Sequence, residues 1–170
     1  MNKRTLFLTK AAVIAAVYAV LTLLGAALNL SYGALQFRFA EALCVLPVFT
    51  SAAVPGLTVG CFLANILSSV SPLDMVFGSL ATFLAALASR ALRNVRIKGY
   101  PFCSLLMPVL FNGLFVGAEI AFFTAGESFF AAFAVNALTV LLGEAAVMFT
   151  LGSLLYYGTK KNPRLKKSLE

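Results

Sequence analysis

Residues 42–70 read ALCVLPVFTSAAVPGLTVGCFLANILSSV, and the way this stretch divides decides the fold. It runs for 29 residues without a charge. As one α-helix it would be about 44 Å long, against a hydrocarbon core of about 30 Å. Val54-Pro55-Gly56 falls near its middle. Proline brings no amide donor and disfavours helix in the residue before it, while glycine accepts turn geometry. Two short spans are therefore predicted, 37–53 and 56–70, joined by a tight turn.

Working outward, the N-terminal neighbour is a polar stretch, Asn29 to Glu41, that also holds Tyr32, Gly33, Gln36 and Arg38. Before it, Ala11 to Leu30 is uncharged for 20 residues. That is longer than the apolar region of a signal peptide and long enough to cross a bilayer, so it reads as a retained first span, 11–30. On the other side, Ser71-Pro72-Leu73-Asp74 is a helix start, with Ser71 as N-cap and Asp74 in the first turn. Spans follow at 73–90, 102–123 and 129–157, separated by a basic connection from Arg90 to Tyr100 and a turn from Thr124 to Ser128. A basic tail begins at Gly158.

Six spans make residues 1–170 a single all-α integral membrane domain. Twelve of the 13 Lys and Arg residues then fall on one side, which makes both termini cytoplasmic and leaves Arg38 alone outside. Four of the five tyrosines lie at predicted span ends, where interfacial aromatics belong; Tyr18 does not. Composition agrees with a plasma-membrane protein: 61% of residues are apolar, 11% are charged, and mean hydropathy is +0.96. The net charge of +7 is divided among span ends, and does not form the single stripe that a nucleic-acid partner requires. Three cysteines without a CxxC pair, and no histidine, give no metal or haem site.

The acidic residues carry the functional reading. A charge at bilayer depth costs roughly 2.5–3.5 kcal/mol on insertion scales, so it is expected to face a cavity or a partner. Asn112 and Glu119 share one face of the fifth span, and Asn136 and Glu144 share one face of the sixth. Two helices each offering an amide and a carboxylate predict one polar pocket, which Asn65 can join. Asp74 and Glu41 fall near span ends. Arg38 and Glu41, at i and i+3, either pair with each other or meet a ligand. Tyr32 and Gln36 are loop candidates for ligand contact. Ala11, Ala15 and Ala19 give the first span a flat face for another helix, inside the bundle or in a partner. Gly113, Gly117 and Ala121 form a second such face, expected to pack internally. There is no catalytic motif and no phosphate-binding loop, so neither an enzyme nor ATP hydrolysis by this chain is expected.

Taken together, the chain resembles the substrate-binding S components of energy-coupling-factor (ECF) vitamin transporters. Residues 32–43 (YGALQFRFAEAL), 55–57 (PGL), 60–65 (GCFLAN) and 73–82 (LDMVFGSLAT) look like the QueT branch, assigned to queuosine precursors. This resemblance implies capture of a small molecule from outside and delivery through a transmembrane T component driven by two ATPase subunits. ATP is then used by partners, and this chain binds no cofactor. It also implies that Ala11, Ala15 and Ala19 meet the T component, and that loop 29–37, helped by 69–73, closes the site. A 7-deazaguanine offers ring N–H and amino donors to one carboxylate and, where an aminomethyl group is present, a cation to another. Glu119 and Glu144 fit those two roles, in an order left open. The competing readings are an S component for another vitamin and a stand-alone proton-coupled carrier with Glu119 or Glu144 as relay.

Overall fold

The structure is a computed structural model that describes residues 2–28, 38–67, 72–124, 126 and 128–169. The described residues are helical apart from turns and one isolated bridge between Ile97 and Tyr100. Helix α1 (Lys3–Ala27) starts at Asn2, whose side-chain oxygen accepts the Arg4 N–H at 3.3 Å. A 3-10 helix, Phe39–Val48, follows, then α2 (Ala53–Leu67), α3 (Pro72–Ala91) and α4 (Phe102–Thr124). Next come α5 (Phe129–Val147), a π-helical turn (Met148–Gly152), α6 (Ser153–Lys161) and the short α7 (Pro163–Leu169). Among the described residues, four stretches are long and apolar enough to cross a membrane: Lys3–Ala27, Leu73–Ala91, Phe102–Thr124 and Phe129–Lys161. Phe39–Val48 and Ala53–Ile66 are apolar but shorter.

The 42–70 stretch does divide, though not where expected. The chain turns at residues 49–52, and Val54, Pro55 and Gly56 lie in the first turn of α2. There the missing proline N–H costs nothing, because first-turn amides have no partner within their helix. The segment expected as a regular span over 37–53 is the 3-10 helix. It is unusually long for that form, and it is buried on nearly all sides, from Ala40 and Glu41 through Cys44, Val45, Leu46, Pro47 and Val48. An apolar helix with no solvent face belongs inside a bundle, and α1, α3, α6 and the π turn all pack around this one. At about 2.0 Å per residue its 10 residues cover about 20 Å, a third more depth than an α-helix would.

Glycine sets the tightest helix approaches. A Cβ on Gly60 would lie 2.8 Å from the Ala15 carbonyl oxygen, and one on Gly56 would lie 2.8 Å from that of Ala11. The small-residue face of α1 is thus used inside the bundle, against α2. Ala15 is buried and Ala11 partly so, while Ala12, Ala16 and Val20 face outward. Ala15 is therefore taken up by α2, while Ala11 and Ala19 keep part of their surface open. The α4 face behaves as expected, since a Cβ on Gly117 would lie 2.6 Å from the Ala137 Cα of α5.

Backbone groups left over are satisfied locally. Pro108 inside α4 cannot donate to the Ser104 carbonyl, and Ser89 Oγ of α3 donates to it instead at 2.7 Å. Arg90 Nη1 donates to the Pro47 carbonyl at 3.0 Å, and Arg96 Nη1 to the Tyr156 hydroxyl at 2.6 Å. These bonds tie the basic 90–98 connection to the 3-10 helix and to α6. Lys98 and Gly99 both have positive φ, 52° and 79°, which closes a tight turn with paired backbone bonds between Ile97 and Tyr100.

Candidate functional site

The four acidic side chains among the described residues, Glu41, Asp74, Glu119 and Glu144, are all buried. Arg38 is the one buried Lys or Arg among the described residues. These five come from four different helices and from the residue that precedes the 3-10 helix. Only the packing of the bundle brings them together.

Arg38 settles on Asp74, not on Glu41. Its Nη2 lies 3.4 Å from Asp74 Oδ2, across 36 residues of sequence. Asp74 sits in the first turn of α3, where the helix dipole also favours a negative charge. Asn65 Nδ2 of α2 donates to the Asp74 carbonyl at 3.0 Å and approaches the Cys61 sulfur at 3.6 Å. Gly78 leaves the space for this arrangement: a Cβ there would be 3.0 Å from Asn65 Nδ2 and 3.1 Å from Asp74 Oδ1. Glu41 is consumed by other partners. It accepts a short hydrogen bond from the Tyr18 hydroxyl of α1, and the Cys44 thiol approaches its second oxygen at 3.0 Å.

Glu144 and Asn112 meet as expected. Asn112 Nδ2 donates to Glu144 Oε1 at 3.0 Å. Glu119 lies within the fields of Asp74 and Arg38, and Glu144 within those of Glu41 and Arg38, so the five charges form one cluster. Asn136 is placed apart. Its Nδ2 donates to Thr124 Oγ1 at 3.0 Å, near the ends of α4 and α5, on the partly exposed side. Tyr32 and Gln36, with the rest of loop 29–37, lie outside the described residues, as does the Ser71 N-cap.

What remains free in the cluster defines its chemistry. Glu119 Oε2, Glu144 Oε2 and Asn112 Oδ1 are buried acceptors without a partner among the described residues, and Arg38 Nε is a buried donor without one. Unmade bonds on buried polar groups cost about 1–3 kcal/mol each, so such atoms mark where a ligand or water bonds. Beside Glu119 a cavity of about 190 Å³ is lined by Leu73, Phe77, Ala118, Phe122 and Phe129. Its wall is almost wholly apolar, and the three phenyl rings suit the face of a flat ring. No group of three or more metal-ligating side chains occurs among the described residues.

Sequence reasoning missed Tyr18, Cys44 and Cys61 as members of this neighbourhood. Tyr18 had a signal: it is the one tyrosine away from a span end, and a hydroxyl at bilayer depth requires a partner. The cysteines had none.

A family model described as QueT transporter matches residues 8–161. The queuosine precursor transporter QueT of Lactococcus lactis subsp. cremoris (strain MG1363) is 31% identical over 83 residues, which are 49% of this chain and 48% of that protein. The chain thus spans about half the length of the curated relative it matches. No solved structure matches. The family match takes in α1 through α6 and all five charges of the buried cluster. A multi-pass protein of the plasma membrane, the chain belongs to the QueT transporter family.

Proposed function

We propose that this chain is the substrate-binding S component of an ECF importer, and that its ligand is a cationic 7-deazaguanine of the queuosine-precursor class. The observation that carries the proposal is the charge of the buried cluster. Four carboxylates face one guanidinium, a sum of −3 if all are ionised (−4 + 1). A ligand that brings an ammonium and several N–H donors offsets that excess and reaches the free oxygens of Glu119 and Glu144. The name of the Lactococcus relative supports the same substrate class. Calorimetry on the purified chain tests it: 7-aminomethyl-7-deazaguanine binds at least tenfold tighter than the neutral analogue without the amine. No heat with any 7-deazaguanine overturns the substrate assignment.

The rest of the mechanism belongs to the same proposal. Six crossings put both termini in the cytoplasm, supported by the sorting of 12 of 13 basic residues. A T component and two ATPases supply the energy, since the chain has no phosphate-binding loop. The part of α1 open to the T component is the outward face of Ala12, Ala16 and Val20. The excess of buried carboxylates also supports a second reading, a proton-coupled carrier that works alone. Uptake into liposomes that contain only this chain and are driven by a proton gradient would favour it over the ECF mechanism.

A further inference from the structure

We propose that the start of α1 and the turn before α2 form a binding site for the phosphate group of an anionic phospholipid. Lys3, Leu6, Phe7 and Lys10 follow one face of α1 at helical spacing, and this face meets the 49–52 turn. Between them lies a cavity of about 350 Å³, lined by those four residues with Thr50 and Ser51. Lys3 and Lys10 of α1 and Thr50 and Ser51 of the turn border one space, where the Thr50 hydroxyl also accepts the Ala52 N–H at 3.4 Å. The N-terminus of α2, at Ala53, brings the positive end of its dipole to the same side. A second cavity of about 350 Å³ adjoins it, sharing Lys3 and Phe7 and adding Arg4 and Leu8. It leads from the charged groups to apolar side chains that the bundle leaves uncovered: Phe7 is 39% exposed and Leu8 64%.

That sequence of surfaces, cations and hydroxyls first and apolar side chains next, fits an amphiphile better than a free anion. Basic pockets at the ends of membrane helices take acidic headgroups in this way. Lys3 and Ser51 have no side-chain bond to another described residue, so both are free for a ligand. Lys10 Nζ also holds the Leu169 carbonyl at 3.1 Å, which links this site to α7. The site lies at the N-terminal end of α1 and does not depend on the identity of the transported molecule.

The test uses the full chain in detergent, with phosphatidylglycerol, phosphatidylcholine or inorganic phosphate added. Native mass spectrometry counts retained lipid and a thermal-shift assay reads stabilisation. Phosphatidylglycerol is retained in preference to phosphatidylcholine, and Lys3→Gln cuts that preference about fivefold, the weight of one lysine at an anionic surface. Ser51→Ala cuts it by a smaller factor. Lys161→Gln, which removes the same charge elsewhere, leaves it unchanged. Melting in phosphatidylcholine alone is the same for all three variants, which shows that they fold. An equal loss in Lys3→Gln and Lys161→Gln overturns the site in favour of diffuse charge attraction. Equal stabilisation by inorganic phosphate and by phosphatidylglycerol overturns the lipid assignment.

Discussion

Glu41 and Glu144 are both buried carboxylates of one cluster, yet neutralising them is expected to have opposite consequences. Both oxygens of Glu41 face protein donors, the Tyr18 hydroxyl and the Cys44 thiol. Glu144 gives one oxygen to Asn112 and keeps the other free. In Glu41→Gln, a bond to a charged acceptor is weakened and the new amide N–H₂ is set against a donor. Hydrogen bonds to charged groups are worth about 1.5–3 kcal/mol, and that is the stability the variant loses. At about 2–4 °C per kcal/mol, its melting temperature falls by roughly 3–12 °C. Glu144→Gln keeps an acceptor for Asn112 and removes one of four acidic groups that share a single cation, so the ligand-free protein melts at the same temperature or higher. Its ligand loses a charged acceptor, and the same 1.5–3 kcal/mol becomes a loss of affinity of roughly 10–150-fold. Differential scanning fluorimetry of the ligand-free chain and calorimetry with 7-aminomethyl-7-deazaguanine read the two effects separately. A Glu144→Gln protein that melts well below wild type while binding within twofold of it would refute the division of roles.

Three further outcomes follow from the packing and the pairings. Gly60→Ala drives a methyl group to 2.8 Å from the Ala15 carbonyl and 2.9 Å from Tyr18 Cβ, so α1 is forced away from α2. Thermal melts should show a loss of about 1–3 kcal/mol, the usual cost of overpacking. Asp74→Asn removes the ion-pair partner of buried Arg38 and is expected to destabilise the chain; a double-mutant cycle with Arg38→Met that shows no coupling would argue against the pair. Asn136→Ala loses only its bond to Thr124 at the partly exposed end of the bundle, so stability changes by less than about 1.5 kcal/mol and calorimetric affinity stays within twofold.

The helices were legible in the chain because lipid leaves few alternatives. A long uncharged run must hydrogen-bond to itself, so apolar length alone located α1, α3, α4 and α5. The approach of Glu144 to Asn112 was legible for the same reason, since carboxylates at bilayer depth require an enclosure; that Arg38, Glu41 and Asp74 join them was not. What could not be read was local form inside an apolar run. Nothing in FAEALCVLPV distinguishes a 3-10 helix from an α-helix, because the choice is made by neighbours that surround it on every side. The π turn at Met148–Gly152, within the expected 129–157 span, is hidden in the same way. Pro55 misled because proline marks a first helical turn as well as a break. Arg38 found Asp74 and not Glu41 because its partner lies 36 residues away, beyond any local spacing rule. The alanines of α1 were read as a flat face, and rightly; the glycines opposite them, Gly56 and Gly60, decide which helix uses it.

The central 3-10 helix also has a mechanical meaning. Relaxing its 10 residues to α geometry would shorten it by about 5 Å and swing one end by about 200° relative to the other. Walled in by α1, α3, α6 and the π turn, it has no clearance for such a rotation. It therefore acts as a stiff axle, with Arg38 and Glu41 fixed at its head. Whatever motion empties the pocket must carry that axle along whole, by tilting the bundle, and not by rewinding the rod that supports it.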